Sequence, residues 1–157
     1  MKIIPFTLAD QEETSNFMKE IFDEMGWTPL AEDGLDDLSC FFHLPDAGYL
    51  FIAKKDGKVI GTAGVAKIDE NTGLIKRVYV DKNLRKLGMG KSLLNALINL
   101  TDKYNISRLV LDVSKNNAPA IHLYEKYGFN RYDQSPVKDW PESNLPDTHY
   151  FYYLNIK

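Results

Sequence analysis

The sequence predicts an α/β fold in a single domain, and three observations carry that expectation. Segments with branched and aromatic strand composition alternate with segments of helical periodicity along the whole chain. One unit, Leu74–Val80, Met89–Tyr104 and Arg108–Val113, has the strand–helix–strand order of a parallel crossover, which runs right-handed as a rule. The length of 157 residues, with 44% apolar and 26% charged, suits one globular domain with a substantial core.

Each element has its own justification. Lys2 to Leu8 reads as a first strand. Asp10 to Met25 reads as an amphipathic helix with Phe17, Ile21, Phe22 and Met25 on one side, ended by Gly26-Trp27-Thr28-Pro29. Leu35 to Leu44 is a shorter second helix. Tyr49–Lys54 and Val59–Ala66 form a hairpin through Lys55-Asp56-Gly57-Lys58, since Asp-Gly accommodates positive φ. Gly61, Ala63, Gly64 and Ala66 imply close packing against another backbone or a ligand. After Arg108–Val113 comes the helix Ala118–Tyr127, with Pro119 in its first turn and Gly128 just past its end. Phe129–Asp133 is a short strand, and a polar loop from Gln134 to Asp147 leads to a last strand, Thr148–Ile156.

Composition excludes several classes. No run of about 18 apolar residues exists for a membrane span, and Met1–Phe6 lacks the apolar length of a secretory signal. The single cysteine, Cys40, allows no internal disulfide and fits a reducing cytoplasm, where a buried small hydrophobe is its ordinary role. A net charge of −3 argues against nucleic acid as a partner. His43, His122 and His149 stand far apart, so no metal site is expected. The basic cluster Lys76, Arg77, Lys82, Arg85, Lys86 and Lys91 surrounds one turn.

That turn joins the strand Leu74–Val80 to the helix from Met89. The first amides of a helix lack internal partners and carry the positive end of its dipole, so they suit an anion. Gly88 and Gly90 remove side chains that would hold a phosphate away, and Arg85 and Lys91 add charge. An ordinary loop would also use these glycines. The known nucleotide loops do not fit: no third glycine completes a dinucleotide fingerprint, and Arg85 stands where a P-loop ending in Gly90-Lys91-Ser92 needs glycine.

A second segment decides between these readings. The chain carries Arg85-x-x-Gly88-x-Gly90 after a strand, then Asn117-x-x-Ala120-Ile121-x-Leu123-Tyr124-Glu125-Lys126-x-Gly128-Phe129. In this order and spacing, and over nearly its whole length, it resembles the GNAT superfamily of acyl-CoA N-acyltransferases. The resemblance implies a mixed, mostly antiparallel central sheet with one splayed parallel pair, flanked by about four helices. It also implies an N-acetyltransferase that moves acetyl from acetyl-CoA to a primary amine by direct attack in a ternary complex.

By the same resemblance, the pantetheine arm lies between the strands Leu74–Val80 and Arg108–Val113. The backbone of Val78, Tyr79 and Val80 would hold it, and Arg85, Lys86, Leu87, Gly88, Met89, Gly90 and Lys91 would form the pyrophosphate turn. Asn117 would contact the cofactor arm, though it also reads as a helix N-cap. Tyr124 would be the general acid, though it also reads as a core aromatic. Many relatives carry a basic glutamate where this chain has Leu74, which cannot accept a proton. Asp112, His149 and Glu70 are substitutes, each equally readable as structural, and no base is assigned.

The acceptor, a small-molecule or peptide amine, would meet the first helices and the loop before the last strand. Trp27, Phe41, Phe42, Trp140 and Tyr150 are candidate walls, and Asp36, Asp37, Asp46, Asp139 and Glu142 candidate anchors for a cation. Lys82 replaces a proline common in relatives. The missing glutamate leaves an alternative, a catalytically weak acyl-CoA-binding regulatory module. The apolar run Tyr150–Leu154 fits a homodimer through the last strand or a strand covered on both faces.

Overall fold

The computed structural model describes residues 1–38, 48–132 and 147–156. Among them, seven strands form one sheet in the order β1-β2-β3-β4-β5-β7-β6. They are β1 (Lys2–Pro5), β2 (Gly48–Lys55), β3 (Lys58–Lys67), β4 (Thr72–Val80), β5 (Arg108–Ser114), β6 (Asn130–Tyr132) and β7 (His149–Asn155). Three α-helices stand among the described residues: α1 (Gln11–Met25), α2 (Met89–Ile98) and α3 (Ala118–Tyr127). The fourth expected helix, Leu35–Leu44, lies largely outside the described residues.

Side-chain alternation divides the sheet between two cores. On one face, Phe17, Met18, Ile21 and Phe22 of α1 pack with Leu35 and Leu38 on Leu50, Ile52 and Val59. On the other, Met89, Leu93, Leu94 and Leu97 of α2 and Tyr124 of α3 pack on Ala63, Val65, Ile75, Leu109, Leu111 and Val113. The small residues of β3 serve this second packing: a Cβ on Gly61 would stand 3.0 Å from Leu93 Cδ1 and 3.1 Å from Met89 Sδ. Asp56 and Gly57 make the β2–β3 turn with φ of 51° and 76°, the primed geometry that Asp-Gly supplies.

Helix α2 ends at Ile98, not at Tyr104. Thr101 explains the stop: its amide and hydroxyl both bond to the Ile98 carbonyl, the latter at 2.7 Å, and the Ile106 amide returns to the Thr101 carbonyl. Strand β7 runs between β5 and β6, paired to both, with Phe151 and Tyr152 buried. Phe151 and Tyr152 point to opposite faces of the sheet and are both buried, and residues 151–153 pair with β5 on one side and β6 on the other.

Among the described residues, β4 and β5 are the only adjacent pair in the sheet that runs parallel. They face one another at Thr72–Arg108, Gly73–Leu109 and Leu74–Val110, and there the ladder stops. β4 continues to Val80 and β5 to Ser114 without pairing each other, which opens a wedge between their C-terminal ends.

Candidate functional site

The wedge takes its character from a β-bulge. The β3–β4 register shifts between Thr62 and Gly64, so that Thr62 faces Tyr79 while Gly64 faces Lys76. Arg77 absorbs the extra residue at φ 57°, a left-handed conformation uncommon for a non-glycine residue. The Thr62 hydroxyl donates to the Arg77 carbonyl at 2.7 Å, and Arg77 Nη2 donates to the Asp33 carbonyl at 2.6 Å. The guanidinium also lies 5.8 Å from the Phe22 ring centre. Ile75, Val78 and Val80 pack on the α2/α3 core, whereas Tyr79 packs beside Phe22 on the α1 side. Without the bulge, alternation from Ile75 would put Tyr79, not Val78 and Val80, against α2 and α3.

The backbone of β4 presents the wedge with hydrogen-bonding groups. The Asp81 amide donates to the Ile60 carbonyl, and strand amides alternate sides. Val78 and Val80 therefore turn their amides away from β3, toward the space β5 has left. The Val80 carbonyl on that edge already accepts from Arg85 Nε at 3.0 Å.

Tyr124 projects from α3 into this region and is only 6% exposed. Its hydroxyl has no hydrogen-bond partner among the described residues. Burial raises its pKa far above the ordinary tyrosine value, and nearby Tyr79 and Asp112 oppose its ionisation further. Burial likewise raises the Tyr79 phenol, against the Arg77 cation. The two phenols thus approach from opposite faces of the sheet, and Tyr124 keeps its proton through the physiological range.

Beyond Val80 the chain makes a short turn in which Asp81 accepts from the Asn83 amide at 2.8 Å. Lys86 and Gly88 take φ of 65° and 87°, and α2 begins at Met89 without a side-chain cap. The first intrahelical bond runs from the Ser92 amide to the Gly88 carbonyl, so the Met89, Gly90 and Lys91 amides precede the ladder. Lys86, Leu87, Gly88 and Lys91 are exposed around them, and apart from its chain neighbours no atom of the described residues lies within 4 Å of a Cβ built on Gly88. Amides ahead of the ladder with open space before them are the geometry that a bound anion would need.

Two of its expected members also have contacts within the chain. A Cβ on Gly90 would lie 2.9 Å from Leu123 Cδ2 of α3, so that glycine serves helix contact. The Arg85 guanidinium turns back to Val80 and to Glu24 of α1, with Nη2–Oε2 at 3.0 Å. The expected basic cluster is also smaller than its sequence suggests. Arg77 reaches the Asp33 side, and half-buried Lys76 lies in the fields of Arg77, Asp112 and Asp33.

Asn117 caps α3, its Oδ1 accepting from the Ala120 amide at 3.3 Å. Leu74 is buried at the last pair of the parallel ladder. Of the substitute bases, Glu70 lies exposed beyond the opposite end of β4, and His149 stands across from Ser114 with its ring Nδ1 2.8 Å from the Thr148 hydroxyl. Asp112, half-buried on β5, borders the wedge. Trp27 packs edge-on to Phe22 at 5.5 Å, Tyr150 carries Arg131 at 3.8 Å, and Asp36 pairs with Lys19 at 2.8 Å. Cys40, Phe41, Phe42, His43, Asp46, Asp139, Trp140 and Glu142 lie outside the described residues. Among the described residues no cluster of His, Cys, Asp and Glu could hold a metal, and no helix is long and apolar enough to cross a membrane.

Sequence and structure comparisons agree with this geometry. Residues 12–129 match the model of the acetyltransferase (GNAT) family. Human N-acetyltransferase 8B is 30% identical over 119 residues, 71% of this chain and 52% of that protein. The N-alpha-acetyltransferase of Sulfurisphaera tokodaii is 33% identical over 91 residues, 50% of this chain and 54% of that protein. The chain therefore spans about half the length of these curated relatives. A GNAT-family acetyltransferase from Staphylococcus aureus Mu50 superposes with a TM-score of 0.87 at 25% identity, covering 99% of both chains. Splayed strands, a glycine-opened helix start and a family model spanning most of the chain lead to one assignment: this chain belongs to the acetyltransferase (GNAT) family.

Proposed function

We propose that this domain transfers an acetyl group from acetyl-CoA to a primary amine, by direct attack with both substrates bound. The observation that carries the reading is the divergence of β4 from β5 after Leu74 and Val110, with Tyr124 buried beside the opening.

The residues present fit the cofactor. Its extended amide-bearing arm needs an open strand edge, and the Val78 and Val80 amides offer one. Its pyrophosphate needs unpaired donors with room in front of them, and the Met89, Gly90 and Lys91 amides lie beside an unobstructed Gly88. Bound acetyl-CoA would supply an activated acyl carbonyl with a thiol leaving group. The amide of Val78 or Val80 would polarise that carbonyl as a preorganised donor. Tyr124 would give its proton to the departing sulfur; burial keeps the phenol protonated but also weakens it as an acid, so the transfer requires hydroxyl and sulfur to be held together. Asn117 holds the start of α3, which carries Tyr124, and follows the end of β5 at Ser114 by three residues, so it would reach the cofactor arm there.

The test is a thiol-release assay with acetyl-CoA across polyamines, aminoglycosides, amino acids, peptide N-termini and lysine peptides, beside calorimetry of acetyl-CoA alone. Binding together with amine-dependent release supports the reading. Binding with no release on any amine would favour a binding module, and no binding would remove the site.

A further inference from the structure

Arg85 ties the end of α1 to the end of β4 at one corner of the wedge. Its Nε donates to the Val80 carbonyl at 3.0 Å, and its two terminal nitrogens take both oxygens of Glu24, with Nη2–Oε2 at 3.0 Å. A two-pronged pair of this kind fixes direction as well as distance, which a lysine ammonium in its place would not. Glu24 has a local reason to draw a cation. It stands with Asp23 in the last turn of α1, at the negative end of the helix dipole, and that turn holds no basic residue. Arg85 brings the missing charge from across the fold.

What the pair holds in place is α1. The end of β4 is secured without it, since Val80 faces Gly61 in the β3 ladder and the Asp81 amide bonds to the Ile60 carbonyl. The end of α1 meets β4 through ring contacts: Phe22 lies edge-on to Tyr79 at 6.2 Å and to Trp27 at 5.5 Å. Ring contacts of this sort let a helix end slide, and a forked ion pair stops the slide. The α2 amides and Tyr124 belong to the opposite face of the sheet. A thioester arm held by them leaves the α1 face as the approach to its acyl carbonyl.

We propose that Arg85 is a positioning residue for the acceptor amine. Held between Val80 and Glu24, it sets the end of α1, with Phe22 and Trp27, at the separation from the β4 edge that aligns an amine with the acyl carbonyl. This rests on the proposed function. The role differs from a phosphate contact, because three of the five N–H donors of the guanidinium are engaged within the chain. Arg85 touches no reacting atom and acts through Glu24 and the helix that carries it.

Arg85→Lys, Glu24→Gln and the double variant test this, through calorimetry of acetyl-CoA and initial rates with one amine that wild type acetylates. Lysine keeps the charge and loses the fork; glutamine keeps the shape and loses the charge. Each single variant is expected to lower kcat/KM for the amine about tenfold or more, with acetyl-CoA affinity retained. The double variant should be no worse than the poorer single one, since both cut the same brace. Glu24→Gln alters a carboxylate that is 29% exposed, so it carries the test should Arg85→Lys fold poorly. Weaker acetyl-CoA binding in Arg85→Lys beside wild-type rates in Glu24→Gln would make Arg85 a phosphate contact and overturn the proposal. Losses that multiply in the double variant, or amine kinetics unchanged while melting temperature falls, overturn it as well. A wild type that turns over no amine overturns the proposed function and this inference together.

Discussion

Gly90 and Leu123 are in contact across the α2–α3 interface, a Cβ at the first being 2.9 Å from Cδ2 of the second. The glycine that a phosphate turn would claim is thus required by helix packing. Gly90→Ala is expected to lower stability by about 1 kcal/mol, the low end for overpacking because Leu123 is half-buried and its tip can move. Chemical denaturation checks the value, and calorimetry should find acetyl-CoA affinity nearly retained.

Gly88→Val tests the cradle itself. At φ 87° a branched side chain is strained, at a cost of roughly 1–2 kcal/mol. Its side chain would also fill the space before the α2 amides. We expect at least about tenfold weaker acetyl-CoA binding (~1.4 kcal/mol), and affinity equal to wild type would count against the pyrophosphate site.

Tyr124→Phe should separate rate from both affinity and stability. Loss of a general acid lowers turnover by about 10²-fold or more. The lost hydroxyl had no partner among the described residues, so melting temperature should hold or rise. An unchanged rate would remove the acid role.

Asn117→Ser keeps a capping oxygen at the start of α3 and removes the amide. Stability should fall by only a few tenths of a kcal/mol, against about 1 kcal/mol for Asn117→Ala. If the amide also contacts the cofactor, both variants weaken acetyl-CoA binding equally, which titration of the two side by side reveals.

Asp10 gives a pH-dependent signature. Its burial would raise the carboxyl pKa, but Lys54 Nζ at 2.8 Å and the Thr7 hydroxyl and amide at 2.9 and 3.0 Å outweigh it and hold the pKa below the ordinary value. A depressed folded pKa adds stability above the unfolded value of about 3.9, lost as pH falls through the folded one. Asp10→Asn should therefore cost about 1 kcal/mol at pH 7 and progressively less below pH 4. Urea melts at pH 7 and pH 3 measure the difference.

The elements that sequence reveals best here are those with chemical punctuation. Ala118–Tyr127 falls between Asn117 and Gly128, which cap it through a side chain and a left-handed turn. The Asp56-Gly57 hairpin and the helix start at Gly88 are similarly marked. The bulge carries no such mark, since arginine has no preference for positive φ and what holds it there comes from Thr62 and Asp33, remote in the chain. Lys76 and Arg77 consequently read as part of a phosphate cluster, whereas the fold turns them toward carboxylates on the other side. The Glu24–Arg85 pair was hidden for the same reason, as 61 residues separate its partners. The Gly90 contact was hidden because spacing cannot tell a glycine facing a ligand from one facing a neighbouring helix.

Among the described residues, a ladder of three residue pairs, with the Asn71 carbonyl bonded to the Ser107 and Arg108 amides beside it, joins the β1–β4 half of the sheet to the β5–β7 half. A guest chain laid along the vacant edge would bridge those halves much as an eighth strand would. Occupancy should then make the molecule unfold as one block, with hydrogen exchange slowing on Val78 and Val80 and equally across the isthmus at Gly73 and Leu109.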